Sequence, residues 1–242
     1  MIRQDEAHGS EAQRQTIQDE IDETLLLRGE DAGEVLLVRH AEVARGAGHD
    51  PMLSCAGLEQ AERLAVRLSH TCLQAVYTAP ERRAQQTARV VAGANGRAVH
   101  VLDGLADIEF DATQCVIPET QRRYAERFEA MPRWDSLPGF ECGRQFRRRA
   151  VRTIERVLAS NPAKRVVIVT HGSVINAYLS MLLGIPADLF FAPEHTSVSA
   201  VRWRDGRYAV RCLNDLSHLS PTREVSGDRE LFTARSLPLT SR

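Results

Sequence analysis

The sequence is poor in lysine and aromatic residues, has no paired cysteines, and contains no long apolar run. Lys164 is the only lysine among 31 basic residues, so arginine supplies nearly all the positive charge throughout the chain. A bias spread that evenly reflects coding composition and cannot mark one site. The basic residues are balanced by 32 acidic ones, for a formal net charge of -1. That balance offers no general attraction for nucleic acid or an anionic membrane, and any anion site must be local. Aromatic residues make up 5%. Where arginines line up four apart, at Arg144, Arg148, Arg152 and Arg156, no aromatic side chain interleaves for base stacking, so that face reads as solvated and carboxylate-paired. Cys55, Cys72, Cys115, Cys142 and Cys212 are odd in number, scattered and without a C-x-x-C pair, which argues against a disulfide framework or a zinc site and for reducing cytoplasm. No stretch approaches the roughly 20 apolar residues that cross a bilayer. The first thirty residues also lack the apolar core of an export signal. No metal, cofactor, nucleic acid or membrane partner is therefore expected.

At 242 residues, 43% hydrophobic and 26% charged, the chain suits one α/β domain with a sizeable core. Val35-Leu36-Leu37-Val38 reads as a fully buried strand, followed by Arg39-His40 where it emerges. Arg165 to Thr170 is a second such strand, followed by His171-Gly172. Buried parallel strands carry their chemistry at the carboxyl end, so the repetition sets two histidines at one crevice.

In chain order, residues 1–33 form an N-terminal extension, with Ile17, Ile21 and Leu25 at helical spacing between Glu11 and Arg28. That helix packs on its own domain, caps the site or makes a homodimer contact. Gly29 ends it and Gly33 precedes the strand. Ser54 caps a helix to about His70, Ala75 to Thr78 is a strand, and Pro80 opens a helix running to Gly93. Ala98 to Leu102 is a third strand, before an acidic loop with Asp103, Asp107, Glu109 and Asp111. Residues 118–130 and 141–160 read as helices, and another follows His171 as far as Gly184. Thr196 to Trp203 and Tyr208 to Leu213 form a hairpin around Asp205-Gly206. The core domain spans 34–218 and a polar tail 219–242. This alternation predicts a single three-layer α/β domain, a mostly parallel sheet with helices on both faces.

Two strand-end histidines with arginines nearby form a set suited to phosphoryl chemistry. Arginine forks match phosphate oxygens and offset transition-state charge. A neutral imidazole can attack phosphorus and hold the phosphoryl group covalently, a second histidine can steady the equatorial oxygens, and a carboxylic acid can protonate the leaving alkoxide.

The residues that carry this chemistry also resemble a known family. Leu36-Leu37-Val38-Arg39-His40-Ala41-Glu42 resembles the L-V-R-H-G-E signature of the histidine phosphatase superfamily, the phosphoglycerate mutase-like proteins. Asp50, Leu53-Ser54, Gly57 and Gln60-Ala61 resemble its D-x-x-L-[ST]-x-x-G-x-x-Q-A segment. Tyr77-Thr78-Ala79 and Arg83-Ala84-Gln85-Gln86-Thr87-Ala88 resemble Y-S-S and R-A-x-x-T-A. Pro138-Gly139-Phe140-Glu141 is similar to P-G-G-E, and Val167 to Gly172 to V-x-V-T-H-G.

The resemblance implies a phosphoglycerate mutase-like fold with His40 as phosphoryl-accepting nucleophile and Arg39, Arg83 and His171 as its phosphate pocket. Asp107 stands at the family's acid position, in a segment otherwise poorly kept, and Glu109 is the substitute if the shorter side chain falls short. Ser173 offers a backbone N–H to phosphate at a helix start, or a plain N-cap. His195 precedes the hairpin near the strand ends and can touch substrate. Ala41 replaces the motif glycine, which a negative φ tolerates. The loop from Glu42 to Asp50 lacks the Trp-Asn pair associated with the mutases, and no second set of carboxylate-binding groups is evident. The expectation is a metal-independent phosphatase acting on a phosphorylated small molecule or a phosphoprotein. A mutase-type phosphotransferase and a catalytically impaired phosphate-binding or interaction protein are the alternatives.

Overall fold

The structure, a computed structural model, describes residues 14–17, 19–21, 29, 31–46, 50–110, 126, 129, 132–136 and 139–220. Among the described residues six strands form one sheet: β1 (Gly33–Arg39), β2 (Ala75–Thr78), β3 (Val99–Val101), β4 (Arg165–Thr170), β5 (Val198–Arg204) and β6 (Arg207–Asp215), in spatial order β3-β2-β4-β1-β5-β6. The first four are mutually parallel; β5 is antiparallel to β1 and β6 antiparallel to β5. Every strand but β5 therefore shares one direction, as the expected mostly parallel sheet requires. The central strands are near-continuous apolar runs because both of their faces are covered: Val35, Leu37 and Val38 of β1 and Val166 to Val169 of β4 are fully buried. Each such side chain stabilises the fold by roughly 1.5–3 kcal/mol.

Among the described residues four helices cover the sheet: α1 (Cys55–Ser69), α2 (Arg82–Ala94), α3 (Gly143–Ala159) and α4 (Gly172–Leu183). Right-handed crossovers from β1 to β2 and β2 to β3 move outward along the sheet. The later connections move back, which puts α1 and α2 on one face and α3 and α4 on the other. The contacts agree, since α1 packs on α2 and α3 on α4. Chain connections from neighbouring β1 and β4 thus leave on opposite faces, and a crevice opens at their carboxyl ends.

Several boundaries differ from expectation. Pro80 lies outside α2, whose N-cap is Glu81. Gly33 lies within β1, opposite Trp203 of β5, where a Cβ would meet the Trp203 ring at 2.4 Å. The ion pairs of α3 come from Arg147 to Asp188 and Arg149 to Glu141, not from the exposed row of Arg144, Arg148, Arg152 and Arg156. Residues 14–17 and 19–21 are helical, but Ile17 and Ile21 are exposed, so their expected packing on the domain is not seen. The helix expected over 118–130 lies outside the described residues apart from 126 and 129, both helical. The tail is described only to Ser220, through a 3-10 turn (Ser217–Leu219) whose Leu219 carbonyl accepts from Arg63 at 3.4 Å. Among the described residues no helix is long and apolar enough to cross a membrane.

Candidate active site

Register delivers the two histidines together. Arg39 pairs with Thr170 at the ends of β1 and β4, and His40 N donates to Thr170 O at 2.9 Å. The ring centroids of His40 and His171 lie 5.2 Å apart. The buried His40 ring has Nδ1 2.8 Å from Ala41 O. A carbonyl only accepts, so Nδ1 carries the hydrogen and Nε2 keeps its lone pair. Burial, then the nearby His171, Arg83 and Arg39, push the imidazole pKa down to about 2. The ring is neutral at physiological pH. Ala41 is absent from the left-handed residues, so its methyl is accommodated.

His171 is the N-cap residue of α4, with its side chain 1% exposed. Its Nε2 lies 2.8 Å from Glu81 Oε2, and its Nδ1 lies 3.3 Å from Arg83 Nη2 and 3.4 Å from Asp107 Oδ2. Arg83, on the first turn of α2, donates to Asp107 Oδ2 at 3.2 Å and Asp50 Oδ1 at 3.5 Å. Arg39 donates from Nη1 to Pro193 O at 2.6 Å, and its Nε is buried without a partner. The starts of α2 and α4 lie at this cluster through Arg83 and His171, so their helix dipoles add to its positive charge, although the Arg82 N–H is taken up by the Asp50 carboxylate at 3.1 Å. Among the described residues, no group of three or more His, Cys, Asp or Glu side chains is placed to hold a metal ion.

Residues 35–216 match the histidine phosphatase superfamily (branch 1). The chain belongs to that superfamily. It is 30% identical over 201 residues to phosphoserine phosphatase 1 of Hydrogenobacter thermophilus, covering 77% of this chain and 94% of that protein. It is also 30% identical over 210 residues to phosphoglycerate mutase-like protein 4 of Arabidopsis thaliana, with 79% and 89% covered. Among solved structures, Bacillus stearothermophilus YhfR superposes with a TM-score of 0.67 at 24% identity, covering 77% of this chain and 99% of that one.

Within this superfamily framework, the structure places Asp107 at the pocket and Glu109 outside it. Asp107 Oδ1 accepts from Ser173 Oγ at 2.5 Å and from Ile108 N at 2.9 Å, and the side chain is 36% exposed. Glu109 is exposed, and its carbonyl accepts from Glu141 N at 2.9 Å. Ser173, expected through its backbone, contributes a hydroxyl that orients Asp107. His195 lies beside His40, with ring centroids 5.3 Å apart and Nδ1 3.1 Å from His40 O. Burial, then the Arg39 charge, lowers its pKa.

Two contributors escaped sequence reasoning. Arg149 donates to the carbonyls of Ala106 and Asp107, each at 2.7 Å, while Glu141 accepts from its Nε and Nη2 at 3.0 and 2.7 Å. With Thr170 Oγ1 donating to Leu105 O at 2.8 Å, this fork holds the acidic loop against β4 and α3. The matched Glu141 was a usable signal; Arg149 was lost in the arginine-rich helix. The other is Glu81, which sits beside Pro80 and looks in sequence like any solvated carboxylate.

Proposed function

We propose that the protein is a metal-independent phosphomonoester phosphatase acting through a phosphohistidine on His40. The observation that carries this reading is the His40 ring: buried, neutral, tied through Nδ1 to Ala41 O, with Nε2 free beside Arg39, Arg83 and His171. The desolvated, unpartnered Arg39 Nε adds support, since a phosphate oxygen would satisfy it.

In the first step the Nε2 lone pair attacks phosphorus, and the P–N bond forms as the ester P–O bond breaks. Arg39, Arg83 and His171 offset the equatorial charge, and Asp107 in its protonated form gives its proton to the departing alkoxide. In the second step water attacks phosphorus, its proton passes to the Asp107 carboxylate, the P–N electron pair returns to His40, and inorganic phosphate leaves. The substrate class is a small phosphorylated metabolite, with phosphoserine a member of the test panel because of the similar phosphatase.

The test pairs an aryl phosphate, whose leaving group needs little protonation, with an alkyl phosphate. His40→Ala should abolish turnover of both. Asp107→Ala should retain most aryl turnover and lose about 100-fold or more on the alkyl ester. Wild type should release inorganic phosphate at a rate unchanged by EDTA, and enzyme trapped by rapid denaturation in alkali, where a histidine P–N bond survives, should carry one phosphoryl group on His40. Diversion of that group to an added phosphorylated alcohol would favour the mutase-type alternative, and full activity in His40→Ala would sink the mechanism.

A further inference from the structure

Glu81 occupies the N-cap position of α2, yet its side chain makes no capping hydrogen bond. A carboxylate there would ordinarily accept from the exposed N–H groups of its own helix. This one reaches across the crevice instead. Oε2 lies 2.8 Å from His171 Nε2, and Oε1 accepts the backbone N–H of Asp107 at 2.9 Å. The segments that resemble the family leave this position unassigned.

We propose that Glu81 is a positioning residue, an ionised carboxylate that accepts the Nε2–H of His171, turns Nδ1 toward the phosphoryl group, and tethers the Asp107 backbone at the same time. The inference rests on the phosphatase reading above. An ionised carboxylate only accepts, so Nε2 carries the hydrogen. Nδ1 is then the nitrogen beside Arg83 Nη2 and Asp107 Oδ2, on the side where an anion would sit. One side chain thereby sets the relative placement of the second histidine and the acid. Although burial opposes it, the hydrogen bond and charge of His171, with the Asp107 N–H, hold the Glu81 carboxyl at about 2. The other charged or titratable groups facing His171 are Arg83 from α2, Asp107 from the acidic loop and His40 from the end of β1.

Two substitutions separate orientation from bulk. Glu81→Gln keeps the shape and an acceptor oxygen but removes the charge; Glu81→Leu removes both. In enzyme whose folding is verified by circular dichroism, kcat/KM for an alkyl phosphate should fall about 10-fold in Glu81→Gln and about 100-fold in Glu81→Leu, mainly in kcat. A folded Glu81→Leu variant with wild-type kcat overturns the proposal. Wild-type enzyme labelled with 15N-histidine gives a readout that needs no variant to be active. The His171 ring, assigned by its loss in His171→Gln, should carry a hydrogen-bonded proton on Nε2. A proton on Nδ1 alone overturns the proposal even if the Glu81 variants do not fold. Inactive wild type would sink the phosphatase reading, and the tautomer would still decide this one.

Discussion

His40 is a buried base that the fold refuses to protonate, and that has a thermodynamic signature. Its native pKa of about 2 lies far below the ordinary histidine value of 6.5. As pH falls below 6.5 the unfolded chain binds a proton that the native ring does not, so the native state loses up to about 1.4 kcal/mol per pH unit from this group. His218, lowered to about 4 by burial and Arg67, and His195, also lowered, act with the same sign down to their own native values. Glu81 works in a different window. Its native value of about 2 lies below 4.5, so its contribution is present above about 4.5 and is lost as pH falls toward 2. Between pH 6.5 and 5 the histidines therefore dominate among these groups. His40→Asn should reduce the loss of unfolding free energy over that interval by about 1–2 kcal/mol in urea titrations, whereas a loss identical to wild type would show that the ring is not held neutral.

At the scale of elements, the site depends on how closely α1 approaches the loop after β1. A Cβ on Gly57 would lie 2.0 Å from the Glu42 carbonyl oxygen, and Ser54 Oγ both accepts from Gly57 N and donates to Glu42 Oε1, each at 2.9 Å. Gly57→Ala must push backbone from backbone and should cost about 2–4 kcal/mol, against about 1 kcal/mol for loss of the Ser54 cap in Ser54→Ala. Thermal unfolding of the two variants tests that order, and the reverse order would show that the loop yields easily. These elements were also the legible ones. Ala75 to Thr78 and Arg165 to Thr170 were read with their observed bounds, because short β-branched runs bounded by turns leave little choice of period. The α1 cap was equally plain in Ser54. His195 was weaker in the sequence, since it enters the site ahead of β5, the one strand that runs the other way, where the strand-end rule does not apply. Glu81 was invisible for a related reason: its partners at His171 and Asp107 are joined to it only by the tertiary fold.

Taken whole, the molecule carries its charge chemistry at both ends of the sheet. Opposite the histidines, Glu34 is 5% exposed at the start of β1 and accepts from Arg165 Nε and Arg211 Nη1, each at 2.5 Å, with Arg202 Nε at 3.8 Å. Burial opposes ionisation there, but these arginines hold its pKa below the ordinary value. Glu34→Ala would leave three guanidinium groups crowded around a small void and should destabilise the domain by about 2–3 kcal/mol. Its distance from His40, about 20 Å along the strand, predicts an unchanged kcat in folded enzyme. A matching fall in kcat would mean that the two ends communicate.

The position of β1 in the sheet also bears on the birth of the molecule. Of the described strands β1 is synthesised first, but its hydrogen-bonding neighbours are β4, beginning at Arg165, and β5, beginning at Val198. Throughout most of translation the Val35-Leu36-Leu37-Val38 run has both edges open, a condition that invites pairing with other nascent chains. Completion of the pairing of β1 must await nearly the whole domain, so exposure of this early segment during synthesis bears on yield separately from the stability of the finished fold.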